Sequence, residues 1–79
     1  MNRNNILEKL TEIFRDVLDD EEIVLSEETT ADDIEGWDSL NHINIIASVE
    51  MDFDVKFEMS TYASMKKVAD IINYIEAQL

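Results

Sequence analysis

This sequence predicts an all-α fold: a small four-helix bundle of three long helices and one short, with a long loop between the first two. Three observations lead there. Apolar residues recur at spacings of three and four over three separate segments, the mark of amphipathic helices. The stretch around Val55-Lys56-Phe57, where polarity alternates, reads as an extended connector rather than a strand. The 79 residues are enough for one domain spanning 1–79, with a compact radius of gyration of about 12 Å. A chain this short buries only roughly 60–65% of its unfolded surface, so it has one modest core.

The first helix is expected over residues 5–18, where Ile6, Leu7, Leu10, Ile13, Phe14, Val17 and Leu18 share one side. Asn5 is its expected cap, with Glu8 three residues on in a capping-box arrangement. Asp19-Asp20-Glu21-Glu22 should end it, because acids oppose the negative end of the helix dipole. Residues 19–38 form the long connection, anchored by Ile23, Val24, Leu25 and Ile34, with a short turn over Thr29–Asp33. A loop of that length in so small a domain is commonly functional.

The second helix is expected from Ser39 to Met51, capped by Asp38. At 100° per residue its apolar side chains fall into two stripes. Ile45, Ile46, Val49 and Phe53 form one; Leu40, Ile43, Ala47 and Met51 lie nearly opposite, with Asn41, Asn44, Ser48 and Asp52 between. A small domain cannot readily bury both, so the stripe with Leu40 should meet a partner or ligand. Val55 and Phe57 drop into the core from an extended connector, and residues 60–63 make a short helical turn. A last helix over residues 64–78 turns Met65, Val68, Ile71, Ile72, Ile75 and Leu79 inward.

Composition narrows the function. Self-contained catalysis is not expected in a core this small, since a cleft holding an acid, a base and an oxyanion site would consume it. With no cysteine there are neither disulfides nor thiolate metal sites. The chain starts without a basic-then-apolar leader and has no apolar run of membrane-spanning length, so a cytoplasmic protein, monomeric and off the membrane, is expected. The net charge of −13 is unevenly placed: no Lys or Arg lies between Arg15 and Lys56, a stretch with fourteen of the 19 acids. Nucleic acid and anionic membranes are poor partners for such a surface, whereas a basic protein patch suits it. Neither Asp52-Phe53-Asp54 nor Asp32-Asp33 has the spacing of a calcium loop.

The sharpest local signal is Gly36-Trp37-Asp38-Ser39-Leu40. Its glycine, the only one in a chain without proline, is the one position of unrestricted φ and stands three residues before Ser39. A serine at a helix start can carry a phosphate on its hydroxyl, because unpaired first-turn N–H groups and the positive dipole end favour an anion. Asp38-Ser39-Leu40, followed at ungapped spacing by Ile43, Ile46, Val49 and Glu50, resembles the attachment site of acyl and peptidyl carrier proteins. Phe53-Asp54 and Asn73-Tyr74-Ile75 are also similar to the bacterial fatty-acid carriers, and the likeness runs from about Ile6 to Ile75.

That resemblance implies transport rather than catalysis. A phosphopantetheinyl transferase would place 4′-phosphopantetheine on Ser39, and acyl, aminoacyl or polyketide groups would ride on its thiol as thioesters. A thiol from the cofactor fits a chain without cysteine. The resemblance gives Asp38 a part in holding the transferase. It makes Leu40 an exposed apolar contact for partners; with the rest of its stripe, Ile43, Ala47 and Met51, and with Glu50, it forms the expected face for loading ligases and downstream synthases or transferases, whose docking patches would be basic. Asn41, Asn44 and Met51 replace the acids that fatty-acid carriers hold on the second helix, and Trp37 and Glu58 also depart from their pattern. Gly-Trp-Asp-Ser-Leu is more similar to stand-alone carriers of specialised pathways than to the housekeeping carrier. The alternative is an acidic helical adaptor that binds a basic partner without a prosthetic group. Ser39 would then be only a helix cap, and a carrier-like relic would share the fold unmodified. His42, the sole histidine, should line the bundle near the arm or simply pack, and Trp37 should anchor the loop over the first helix.

Overall fold

In a computed structural model, residues 2–79 are described and form four α-helices. α1 spans Arg3–Leu18, α2 Ser39–Phe53, α3 Met59–Tyr62 and α4 Val68–Gln78; a short 3₁₀ turn, Ala31–Asp33, interrupts the long loop. The radius of gyration is 11.2 Å. The all-α bundle and its long first loop are as the periodicity predicts.

α1 starts two residues earlier than expected. Its cap is Asn2 rather than Asn5: the Asn2 side chain accepts the N–H of Asn5 at 2.9 Å. A cap must stand outside the helix in extended backbone, and Asn5 is already one turn inside. At the other end Asp19 takes a left-handed conformation, φ 51°, and its N–H closes on the carbonyl of Arg15. Asp54 ends α2 the same way at φ 55°. Aspartate is among the few non-glycine residues that tolerate this region, so both helices stop at a C-terminal residue without glycine.

The core is the predicted inward face of each helix. Ile6, Leu10 and Phe14 of α1 meet Ile45, Ile46 and Val49 of α2 and Val68, Ile71, Ile72 and Ile75 of α4, all buried. Val55 and Phe57 enter from the connector, and the Phe57 ring stacks on Tyr74 at 4.4 Å. Leu79 lies outside this core, exposed at the end of the chain, because α4 finishes at Gln78. Val24 likewise points out, while its neighbours Ile23 and Leu25 are buried.

The largest departure is the start of α4, at Val68 rather than residue 64. Lys67 is extended, and it bridges Thr30 of the long loop. Ala31 N–H donates to the Lys66 carbonyl, while the N–H groups of Val68 and Ala69 donate to the carbonyls of Thr29 and Glu27. These loop carbonyls do the work of a side-chain cap, satisfying the first donors of α4. Ser64 instead closes the turn after α3, and Met65 reaches the core from the non-helical segment 65–67 that leads into α4.

A second fastening binds the loop at α1. The Arg3 guanidinium donates to both carboxylate oxygens of Glu27, at 2.5 and 3.1 Å, and to Asn73 at 2.9 Å, and it also pairs with Glu76. The hydrogen bonds that Arg3 donates to Glu27 hold the Glu27 carboxyl below its usual value and raise Arg3 above its own. Among the described residues, no helix is long and apolar enough to cross a membrane.

Candidate functional site

The 19–38 loop delivers its last residues to the start of α2 through one tight turn. Gly36 sits at φ +90°, a region closed to most L-residues. Its carbonyl accepts the N–H of Asp38 at 3.0 Å and the side-chain amide of Asn41 at 2.7 Å. The turn is thus tied directly to the first turn of the helix it feeds. Asp38 caps α2, accepting the N–H of Asn41 at 2.8 Å, as the sequence predicts.

Ser39 is the first residue of α2 and is exposed. Asp38 occupies the Asn41 N–H, and the His42 N–H bonds the Asp38 carbonyl. The N–H groups of Ser39 and Leu40 remain without intrahelical acceptors, at the positive end of a 15-residue helix. A hydroxyl at this place meets solvent on one side and unpaired donors on the other.

The two stripes of α2 separate as predicted. Ile45, Ile46, Val49 and Phe53 are buried, whereas Leu40 is 70% exposed, Ile43 49% and Met51 83%. Ala47 lies exposed between them. Glu50 is half-buried, and its carboxylate accepts the N–H of Phe57 at 2.9 Å, so it braces the connector after α2. Sequence reading places Glu50 on the helix but carries no trace of this bond, which joins residues seven apart.

A cavity of about 450 Å³ opens beside Ser39, between the start of α2, the loop, α3 and the segment before α4. Its buried wall is Trp37, His42 and Met65, and Ile43, Met59 and Tyr62 continue it outward. Asp32, Asp38, Ser39 and Lys66 stand at its exposed rim. Trp37 is the loop anchor that the sequence suggests, packed edge-on against Phe14 of α1 at 4.8 Å. Its indole N–H also donates to Nδ1 of His42 at 2.9 Å, and His42 Nε2 lies 2.7 Å from the Tyr62 carbonyl. An indole can only donate, so Nδ1 is the acceptor and the ring is the neutral tautomer with its proton on Nε2. With both nitrogens engaged and a burial above nine-tenths, His42 is a packed structural residue rather than an open base.

An exposed serine on a helix start, beside a cavity with an apolar inner wall, is an arrangement suited to bearing a covalently attached group. Comparison with known proteins agrees. Residues 8–75 match the family described as "Phosphopantetheine attachment site". The acyl carrier protein of Lactococcus lactis subsp. cremoris (strain MG1363) is 38% identical over 90% of this chain and 93% of its own. Acyl carrier protein 3 of Ralstonia nicotianae is 31% identical over 100% of this chain and 91% of its own. A solution NMR structure of holo acyl carrier protein from Geobacter metallireducens superposes with a TM-score of 0.81, at 44% identity, over 90% of this chain and 82% of that one. The chain belongs to the phosphopantetheine-attachment family of acyl carrier proteins, whose prosthetic group is covalent 4′-phosphopantetheine.

Proposed function

We propose that Ser39 is the residue that bears 4′-phosphopantetheine and that the chain acts as a single carrier domain over 1–79, a cytoplasmic monomer in a specialised biosynthetic pathway. The observation that carries this reading is the exposed Ser39 at the start of α2, next to two unpaired N–H groups and an apolar cavity. The residues fit the group. First-turn donors and the dipole favour a phosphodiester anion at the hydroxyl, and the cavity wall offers an apolar lining to whatever the arm holds. When bound, the arm supplies a terminal thiol on which an acyl, aminoacyl or polyketide group travels as a thioester.

Asp38 fixes the serine by capping its helix and adds a carboxylate that a phosphopantetheinyl transferase can grip. Leu40, Ile43, Ala47 and Met51 offer partners an apolar strip, with Glu50 behind it. Loading ligases and downstream synthases or transferases would dock there, their basic patches meeting the acids of the neighbouring loop. The specialised-pathway reading is supported by that nearly uncharged strip and by Trp37 ahead of the serine. A housekeeping fatty-acid carrier is expected to show an acidic α2.

The test is to incubate apo-protein with coenzyme A and a broad-specificity transferase and weigh the product. One phosphopantetheinyl addition is expected on the native chain and none on Ser39→Ala. An addition that survives Ser39→Ala, or no addition under conditions that load a proven carrier, refutes the assignment.

A further inference from the structure

α3 is the weakest-held wall of the cavity. It is four residues long, none of them buried, and has no side-chain cap. Its backbone bonds are local: Thr61 and Tyr62 N–H to Glu58, Ala63 N–H to Met59, Met65 N–H to Tyr62. Among the described residues, one hydrogen bond joins it to another helix, that from His42 Nε2–H to the Tyr62 carbonyl at 2.7 Å. The His42 and Tyr62 rings also meet edge-on at 6.0 Å. That imidazole is in turn oriented by Trp37, two residues before Ser39, whose indole N–H leaves Nδ1 no role but acceptor.

We propose that His42 is the positioning residue that sets the size of the cargo cavity. Held by Trp37, its imidazole pins the end of α3 to α2, and release of that bond admits a cargo larger than the cavity. This rests on the carrier reading above, and it adds a residue-level device to it. The chain of bonds runs indole to imidazole to carbonyl, so Trp37 acts through His42. Remove the indole and the ring loses one of its two tethers, while the Tyr62 carbonyl, an acceptor only, still holds the proton on Nε2. No buried polar side-chain atom among the described residues lacks a partner. The inner wall of Trp37, His42 and Met65 therefore offers a cargo no free nitrogen or oxygen side-chain atom, the indole and imidazole nitrogens being already bonded.

The experiment begins with ¹⁵N-labelled apo-protein, where the arm plays no part. Two-bond nitrogen–proton correlations of the imidazole should show the Nε2–H tautomer. Backbone order parameters of residues 59–63 should lie towards the rigid value of about 0.85. In His42→Leu, which keeps bulk but not the bonds, they should fall towards the flexible range under about 0.6. Trp37→Phe, which retains His42 and its bond to Tyr62, should keep the Nε2–H tautomer and show a smaller fall. A native proton on Nδ1, or unchanged α3 order in folded His42→Leu, overturns the proposal. If His42→Leu does not fold, Trp37→Phe decides: unchanged order of residues 59–63 overturns it.

The second arm uses holo-protein carrying straight-chain saturated acyl groups of increasing length. Shifts of the Met59 and Met65 methyls should stop growing at a shorter chain in the native protein than in His42→Ala. The same limiting length in both counts against His42 as the gauge. A chain that accepts no arm at Ser39 defeats the carrier reading, and the apo measurements still judge the pin.

Discussion

Glu50→Ala separates a bracing residue from a docking residue. Glu50 works at the end of α2 with two groups: its carbonyl receives the N–H of Asp54 and of Val55, and its carboxylate receives that of Phe57. Phe57 is only 8% exposed and stacked on Tyr74, so its N–H has little access to water as a substitute. Leaving a buried donor unmade costs about 1–3 kcal/mol, and the half-buried setting argues for the low end, about 1–1.5 kcal/mol. Total stability for a domain of this size is of the order of 4–12 kcal/mol. Since 1 kcal/mol moves the melting temperature by roughly 4–8 °C in a small domain, Glu50→Ala should lower it by about 4–12 °C.

The control is Glu50→Gln, which keeps a side-chain oxygen for Phe57. Both variants remove one negative charge from a chain of net charge −13, so relief of repulsion is common to both. Intrinsic helix preference favours alanine by a few tenths of a kcal/mol, opposite in sign to the effect sought. Thermal and urea unfolding of the three proteins should rank native and Gln above Ala. Alanine as stable as glutamine would refute the bracing role and return Glu50 to the partner face alone.

Three further outcomes are expected. Gly36→Ala should destabilise by about 1–2 kcal/mol, the cost of a left-handed backbone for an L-residue. The added Cβ would stand 3.7 Å from Leu18 Cδ2, an ordinary contact, so urea unfolding reads backbone strain alone. Arg3→Gln should lower the melting temperature at pH 7 and progressively less below about pH 4.5. Glu27 is held below its ordinary value by Arg3, so the pair stabilises above the unfolded carboxyl value and is lost as pH falls through the folded one. Added salt or millimolar magnesium should raise the melting temperature, because fourteen acids lie between Arg15 and Lys56 with no base among them; scanning calorimetry with a flat response would contradict this.

What could be read in advance were features with local signatures. The Asp38 cap writes its signal in adjacent residues, and the buried and exposed stripes of α2 follow from helical periodicity. Trp37 as a loop anchor follows from bulk and hydrophobicity. What could not be read depends on backbone pairing across the chain. The start of α4 at Val68 is set by carbonyls of Glu27 and Thr29, some forty residues earlier, which leave no mark on side-chain pattern. The Arg3–Glu27–Glu76 cluster and the Trp37–His42–Tyr62 chain are likewise long-range geometry. Asn2 is not legible because Asn5 offers an equally good local cap in the sequence.

The redistribution of acids bears on how the proposed docking face would choose partners. α2 carries Glu50, whose carboxylate is engaged, and Asp52 near its end, while the loop before Ser39 holds most of the negative charge. Charge displaced from the contact strip can steer an approaching basic surface without being desolvated when the strip is covered. The strip itself, with Leu40 and Met51 largely exposed, then contributes burial of apolar area, and methionine adapts to more than one partner shape. Orientation by the loop and adhesion by the helix would be separable properties, one sensitive to ionic strength and the other not. A carrier built so would discriminate among enzymes by the apolar relief they present to α2, more than by the count of their basic residues.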